Sequence, residues 1–216
     1  MSFLYNTFQE LGSLPTILYS RGLTFTPAEV DTSIRPGWFW HENDEPHTLE
    51  QLFRIYLSSH GSNAALNLNI PPDKHGLFDE RDMHRLQEFG QLINREFGTP
   101  WNAEIVKKPD FPATQPQYVI HLPKEKGIPK YIVLREKLVK GQRVENFRIL
   151  ANVCNGSQYP LYEGTCIGNR KICVLQNPFA DQNPLLNSNQ ENDIQEIILQ
   201  ITAARGSVEL REISVY

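Results

Sequence analysis

The chain contains no run of about 18 consecutive apolar residues, so no membrane-spanning helix is predicted. Its first stretch, MSFLYNTFQELGSLPTILYSRG, lacks the basic start and the continuous apolar centre of a secretory signal peptide. The sequence therefore predicts no compartment. The formal net charge is −4, and without an excess of basic side chains to neutralise phosphates, nucleic acid is not an expected partner.

Cysteine is scarce, with Cys154, Cys166 and Cys173 as its three instances among 216 residues. The number is odd and the spacing does not match a zinc motif, so no metal site is predicted. We interpret the three as small thiols in the core or at the surface. A disulfide between Cys166 and Cys173 is the alternative, and it would need an oxidising compartment.

Residues 28–98 carry alternating strand-like and helix-like patterns. In TLEQLFRIYLSS, apolar side chains recur at helical spacing after Thr48, a suitable N-cap. ALNLNIPP alternates apolar residues with asparagine and ends in two prolines, which predicts a short strand. DERDMHRLQEFGQLINREFG predicts a second helix, capped by Asp79 and ended by Gly98. This β-α-β-α order favours parallel strands joined by crossover helices.

Residues 101–216 have a different pattern, made of short β-branched segments separated by Pro, Gly and Asn. These segments are QYVIHLP, KYIVLREKL, ENFRILANV, GTCIGNRKICVL, DIQEIILQIT and SVELREISVY. They predict an antiparallel β-sandwich. The asparagine-rich stretch FADQNPLLNSNQEND is predicted to be an exposed loop between strands. Residues 1–25 fit no element and remain unassigned.

The stretch AEVDTSIRPGWFWH concentrates carboxylates, aromatic rings, an arginine and a histidine in fourteen residues. Such a set suits sugar binding, because an apolar pyranose face stacks on an aromatic ring while polar side chains bind the hydroxyls. Glycoside hydrolysis needs a pair of carboxyl groups, one of them a partly desolvated proton donor. Glu29 is a candidate donor near Trp38. In the alternative interpretation, Glu29 and Asp31 face solvent on a strand and Arg35 is their ion-pair partner.

Asn67 and Asn69 occupy alternate positions of the predicted strand, where asparagine is unfavourable. One explanation is a half-exposed strand. The other is a barrel strand whose carboxyl end opens onto an active site, where polar side chains gather.

Several long motifs in this order resemble one known family. They are PAEVDTSIRPGWFWH, then TLEQLFRIYLSSHGSNAALNLNIPPDKHGLFDERDMHRLQEFG, and in the second half VLREKLVKGQRVENFRI, YEGTCIGNRKI and ITAARGSVELREISVY. The first two resemble the end of the catalytic barrel of α-L-fucosidases, glycoside hydrolase family 29. The last three resemble the C-terminal β-sandwich of the same family. The resemblance covers about residues 26–216.

This resemblance implies a retaining glycoside hydrolase that removes terminal α-L-fucose from fucosylated glycans or glycosides. Such an enzyme uses an aspartate nucleophile, a carboxylic acid/base and a covalent fucosyl-enzyme intermediate. The family glutamate before SIRPGWF implies the acid/base role for Glu29. Trp38 is then a candidate for stacking on the sugar or on the leaving group, and Arg35 and His41 for polar contacts. No metal or organic cofactor is implied. Family members are commonly secreted, periplasmic or lysosomal.

The resemblance also implies a partial enzyme. A (β/α)8 barrel takes about 250 residues, whereas residues 26–100 provide about two β/α units. Asp31 and Asp44 are not at the nucleophile position of the family. The expected architecture is therefore an unassigned segment 1–25, a barrel fragment 26–100 and a β-sandwich 101–216. Two barrel strands would leave unpaired edges, so association with a chain that supplies the rest of the barrel is expected.

Two other functions are compatible with this sequence. The β-sandwich can serve as a non-catalytic carbohydrate-binding or interaction module, or the chain can have no activity of its own. Fold analogy alone does not choose between them.

Overall fold

The computed structural model of the chain describes residues 14–22, 27–123, 127–153, 156–176 and 194–216, with only the backbone of Leu14 and Gln195. Within these ranges the fold is mixed and rich in sheet, with three α-helices and ten strands in three sheets. None of the described helices has the length and apolar character needed to cross a membrane.

The β/α unit (residues 27–98) contains two parallel strands and the helices that follow each of them. Its elements, with a short preceding helix, are α1 (Leu14–Tyr19), β1 (Glu29–Ser33), α2 (Leu49–Ser58), β2 (Ala65–Asn69) and α3 (Glu80–Phe97). β1 and β2 pair in parallel, with Glu29 opposite Ala65 and Ser33 opposite Asn69. The predicted β-α-β-α order with parallel strands is confirmed, whereas α1 lies in the segment for which the sequence predicted no element.

The predicted helix boundaries are also confirmed. Thr48 caps α2, since its side chain accepts from the backbone of Gln51, whose own side chain accepts from the backbone of Thr48. Asp79 caps α3 through the backbone N–H of Arg81, and the helix ends at Gly98. These caps fix where the two loops after β1 and β2 end.

In the C-terminal β unit (residues 101–216), the described residues form eight strands in two antiparallel sheets. They are β3 (Glu104–Lys107), β4 (Gln117–His121), β5 (Tyr131–Glu136), β6 (Val144–Val153), β7 (Gln158–Gly164), β8 (Lys171–Val174), β9 (Ile194–Ala204) and β10 (Leu210–Val215). One sheet has the order β10-β5-β8 and the other β3-β4-β9-β6-β7. Each of the six segments predicted as strands coincides with all or most of one of these strands.

The sequence pattern missed β3 and β7, and both are edge strands of the five-stranded sheet. All four residues of β3 are exposed, so no alternation of apolar and polar side chains is present. β7 contains Pro160, which a central strand would not tolerate because proline cannot donate to the ladder. An edge strand pairs on one side only, so it tolerates both the exposed sequence of β3 and the proline in β7.

Two hydrophobic clusters organise the described residues. The first lies between the two antiparallel sheets and includes Ile132, Phe147 and Leu199. The second lies around α2 and α3, where Leu52 and Phe89 pack with one face of β1–β2 and with the opposite face of the three-stranded sheet. That sheet contributes Tyr131, Val133 and Ile172. The second cluster thus contains residues from both sides of residue 100, and the predicted division there stays a prediction.

Cys166 and Cys173 are free thiols, so the alternative of a disulfide between them is wrong in this structure. Burial raises the pKa of the Cys173 thiol well above its usual range, which makes that side chain a poor nucleophile. Cys154 and the predicted loop 179–193 lie outside the described residues.

Candidate functional site

Two loops lie side by side at the carboxyl ends of β1 and β2. We call residues 34–47 and 70–79 the carboxyl-end loop pair. The side-chain amide of Asn69, at the end of β2, donates to the carbonyl of Trp38 at 3.1 Å. The indole N–H of Trp40 donates to Oδ2 of Asp79 at 2.9 Å. These bonds hold the loop after β1 against the loop after β2.

Arg35 lies at the centre of this arrangement, and its side chain has no exposed surface. Its Nε donates to both carboxylate oxygens of Asp82, at 3.0 and 2.8 Å. Its Nη1 donates to the carbonyls of His41 at 3.0 Å and Asp44 at 2.6 Å. Its Nη2 forms an ion pair with Oδ2 of Asp79 at 3.0 Å. The guanidinium therefore joins the loop after β1 to the first turn of α3.

The carboxylate of Asp79, the last residue of the second loop, accepts hydrogen bonds from several donors. Besides capping α3 and accepting from Trp40, it accepts from the Nε and Nη2 of Arg81 at 3.0 and 2.8 Å. The Trp40 ring lies 5.9 Å from the Arg35 guanidinium carbon, within cation–π range. The hydrogen bond from Arg81, followed by that from Trp40, holds the pKa of the Asp79 carboxyl well below its usual range.

The depressed pKa of Asp79 predicts an acid-sensitive stability. The pKa of Asp79 is lower in the folded chain than in the unfolded chain, where it is about 3.9. The ionised carboxyl therefore contributes fully to the free energy of unfolding above that pH, and this contribution is lost as pH falls toward the folded pKa. Urea unfolding followed by tryptophan fluorescence should show a free energy of unfolding that decreases below about pH 5. Asp79→Asn keeps a good helix cap and should flatten that decrease. The exposed carboxyl of Asp110 provides the control, since Asp110→Asn should follow the wild-type pH profile. Identical profiles for Asp79→Asn and wild type would contradict the prediction.

Glu29, the candidate acid/base, lies at the opposite end of the strand pair from the loop pair. It begins β1, is exposed, and shares a sheet face with Asp31. The rise along β1 separates it from Ser33 by about 13 Å. Glu29 and Asp31 thus face solvent, as the alternative interpretation predicted. The ion pairing proposed with them for Arg35 is wrong, because the partners of Arg35 are Asp79 and Asp82.

The other predicted site residues lie on the loop pair. Trp38 is 52% exposed and His41 is also exposed, so both are accessible to a ligand. The structure therefore brings Trp38 and His41 to one loop and places Arg35 beneath it, while Glu29 stands apart.

The two strand asparagines differ in environment. Asn67 is exposed in the middle of β2, whereas Asn69 is half-buried and uses its amide to hold Trp38. Sequence reasoning identified Asp79 only as a helix cap and did not identify Asp82, which is fully buried against Arg35. An Asp in the first turn of a helix is ordinary, so the pattern carries no signal of this burial.

A cleft of about 700 Å³ lies near the amino end of the strand pair, between the β/α unit and the C-terminal β unit. Its lining includes Ala28, the neighbour of Glu29, together with His60, Asn63 and Arg170. Burial, and then the nearby Arg170, lower the pKa of His60. In the part of the chain that the structure describes, no three His, Cys, Asp or Glu side chains are grouped as metal ligands.

The chain matches no protein-family model. It does match alpha-L-fucosidase 1 of Arabidopsis thaliana, with 29% identity over 187 residues, which cover 72% of this chain and 36% of the plant protein. The chain also matches a rice protein (Oryza sativa subsp. japonica) named as an alpha-L-fucosidase 1. The two are 48% identical over 71 residues, which cover 33% of this chain and 14% of the rice protein. The chain thus spans about a third or less of the curated relatives it matches.

Solved structures show the same likeness. The crystal structure of SpGH29 superposes with a TM-score of 0.75 and 29% identity, covering 98% of this chain and 47% of that one. A glycoside hydrolase family 29 fucosidase of Ruminococcus gnavus, solved in complex with fucose, gives a TM-score of 0.73 and 26% identity, covering 93% of this chain and 43% of that one. By sequence and by fold, the chain is similar to part of several alpha-L-fucosidases, among them a fucosidase of glycoside hydrolase family 29.

Proposed function

We propose that the chain forms part of the active site of a retaining glycoside hydrolase that removes terminal α-L-fucose from glycans. The observation that carries this proposal is the likeness to fucosidases, in sequence and in fold, across both the β/α unit and the C-terminal β unit. The likeness spans the whole described chain, which favours a fucosidase fragment over an isolated carbohydrate-binding module.

For the architecture, we propose that the β/α unit is the last part of a (β/α)8 barrel and that the C-terminal β unit is a β-sandwich. Helices cover one face of β1–β2, while the other face carries exposed polar side chains, namely Glu29, Asp31 and Asn67. Among the described residues, each of these two strands pairs only with the other. A closed barrel would cover the polar face and pair both edges.

The nucleophile and the remaining sugar contacts would come from the other barrel units. The matched fucosidase structures extend well beyond the region that this chain covers. We propose that a further segment or a second chain supplies those units and pairs with the free edges of β1 and β2. The side chains of the added strands would then face the open side of the strand pair.

Glu29 is the proposed acid/base in this assembly. In retaining hydrolysis, the acid protonates the departing glycosidic oxygen while a carboxylate about 5–5.5 Å away attacks the anomeric carbon. The same residue then removes a proton from the water that releases the sugar. Its side chain is exposed on the face of β1 that a closed barrel would turn inward, which supports the role. Its place at the amino end of β1 argues against the role, because the active sites of such barrels lie at the carboxyl ends of the strands.

Trp38 and His41 are proposed to contact the sugar or the leaving group from the loop pair. Arg35 has a positioning role, because its Nε and Nη1 donate to Asp82 and to two loop carbonyls and its Nη2 is ion-paired with Asp79. It would hold the loop that carries Trp38 in place without touching the sugar.

The test is release of a chromogenic aglycone from an α-L-fucoside, by the chain alone and by the chain joined to the upstream barrel segment of the Arabidopsis relative. We expect turnover only in the joined protein. Glu29→Gln should lower kcat/KM by about 10²–10⁴ for a poor leaving group. The loss should be smaller for an activated aryl fucoside, whose departure needs little proton donation.

Asp31→Asn is the matched control, because Asp31 lies on the same face two residues further along β1. It should keep most of the activity. Equal losses for Glu29→Gln and Asp31→Asn would remove the acid/base assignment. No turnover by the correctly folded joined protein would remove the proposed function.

A further inference from the structure

Strand β3 forms one edge of the five-stranded sheet. Among the described residues it pairs only with β4, so its other side has no partner strand. We call this side the free edge. All four residues of β3 are exposed, and two of them are apolar, with Ile105 38% and Val106 37% exposed. An edge with apolar side chains and unpaired backbone groups is a template for pairing with another strand.

The hydrogen bonding to β4 determines which backbone groups point outward at the free edge. The backbone N–H of Lys108, the residue after β3, donates to the carbonyl of Gln117 at the start of β4, at 2.9 Å. In an antiparallel pair, every second residue directs both its N–H and its C=O at the partner strand. The even-numbered residues of β3 therefore face β4 with these groups, whereas Ile105 and Lys107 direct theirs outward.

An apolar row crosses the sheet and ends at the free edge. The register places four residues in this row, in the order Leu150, Ile198, Val119 and Val106. On β6, β9 and β4, the neighbours of these residues along the chain belong to the first hydrophobic cluster, so the row faces away from the three-stranded sheet. The first three residues are buried, whereas Val106 is exposed. A further strand with an apolar side chain beside Val106 would continue the row.

We propose that the free edge pairs with the free edge of a second copy of this chain, antiparallel and about a twofold axis at Val106. Ile105 then lies opposite the partner's Lys107, and their outward N–H and C=O groups bond to each other on both sides of the axis. Val106 lies opposite the partner's Val106, which joins the two apolar rows. Glu104 lies opposite the partner's Lys108, so opposite charges meet at both ends. The contact is isologous, as in most dimers of soluble proteins.

Other registers that use the same outward groups are less favourable. One shift places Lys107 opposite the partner's Lys107 and requires an N–H from Pro109, which proline lacks. The opposite shift places Ile105 opposite the partner's Ile105, and Glu104 then faces a valine instead of a lysine. Charges on an edge strand commonly prevent pairing, but here their order favours one register of pairing between two copies.

The dimer is expected to be weak and to depend on concentration. An edge of four residues is small beside stable interfaces, which bury about 1,200–2,000 Å². The inference does not depend on the proposed function. The second hydrophobic cluster joins the β/α unit to the three-stranded sheet, whereas β3 belongs to the five-stranded sheet.

Sedimentation velocity of the 216-residue chain tests the proposal, from about 10 µM to about 1 mM, the range of weak association. The sedimentation coefficient of the wild type should rise with concentration. Ile105→Pro should remain monomeric, because it removes an outward N–H that the pairing with β4 does not use. Its unfolding midpoint in urea should stay close to that of the wild type. A wild-type chain that is monomeric at the highest concentration, or association that persists in Ile105→Pro, overturns the proposal.

Charge exchange tests the register without a proline. Lys108→Glu should raise the dissociation constant of the dimer about tenfold or more, because like charges then lie opposite each other at both ends. Adding Glu104→Lys restores opposite charges and should restore association. Lys74→Glu, exposed on the loop after β2, makes the same change in net charge and should associate as the wild type does. No recovery in the double variant, or an equal loss in Lys74→Glu, contradicts the proposed pairing.

Amide hydrogen exchange at low and high protein concentration locates the contact. Protection should increase with concentration at Ile105 and Lys107, whose N–H groups face outward, and stay constant at Val106, whose N–H faces β4. Among the described strands, β1 and β2 also have unpaired edges. An increase confined to β1 and β2 would place the association there and remove the role of β3.

Discussion

Replacing Arg35 with methionine is expected to lower the free energy of unfolding by about 3–5 kcal/mol. The loss follows because Asp82, which is fully buried, would keep its carboxylate without the guanidinium that now contacts both of its oxygens. The carbonyl of Asp44 would lose the bond from Arg35 as well, and the carbonyl of His41 would keep only the bond from the backbone N–H of Asp44. Urea unfolding followed by tryptophan fluorescence and by far-ultraviolet circular dichroism measures the change.

A double replacement distinguishes an unpaired charge from simple loss of packing. Arg35→Met together with Asp82→Leu removes both charges and should recover a large part of the stability. Arg54→Met is the control, since Arg54 pairs with Glu50 on the surface of α2, where both side chains are 75% exposed. That change should cost no more than about 0.5 kcal/mol. A cost below about 1 kcal/mol for Arg35→Met would contradict the central role of this guanidinium.

The second large effect is expected at Glu136, which is buried at the end of β5. Its Oε1 accepts from the backbone N–H groups of Arg143 and Val144, at 2.9 and 3.1 Å, and its Oε2 accepts from that of Gly168 at 2.7 Å. In Glu136→Gln, the amide N–H₂ must face at least one of these donors. We expect a loss of about 3 kcal/mol, since a bond to a charged group is lost and a buried donor is left unpaired.

Amide hydrogen exchange gives a local measurement of the same change. Exchange at Val144 and Gly168 should become faster in Glu136→Gln than in Glu104→Gln, where the replaced side chain is exposed on the edge strand β3. Unchanged protection at both amides would mean that the three backbone donors find other partners.

The strands and helices that pack on apolar residues could be predicted from the sequence. Thr48 and Asp79 predict the starts of α2 and α3, because capping is a local interaction between neighbouring residues. The parallel pairing of β1 and β2 follows from the crossover length between them. β3 and β7 could not be predicted, since an exposed edge strand needs neither alternation nor freedom from proline.

The candidate site was predicted less completely, because its central contacts join residues far apart in sequence. Arg35 was predicted to pair with a solvent-facing carboxylate four or six residues before it, whereas its carboxylate partners lie 44 and 47 residues further along the chain. Local spacing cannot reveal which helix will pack beneath a loop. The position of Glu29 at the amino end of β1 likewise depends on where the strand begins, and strand limits are weakly encoded in short segments.

The second hydrophobic cluster has a consequence for dividing the protein. Its apolar side chains from β5 and β8, among them Tyr131, Val133 and Ile172, are covered by α2 and α3. A chain that began at residue 101 would present this face of the three-stranded sheet to water, with aromatic and branched aliphatic groups side by side. Such a surface favours self-association. The β/α unit therefore acts as a solubilising cover for the strands that follow it.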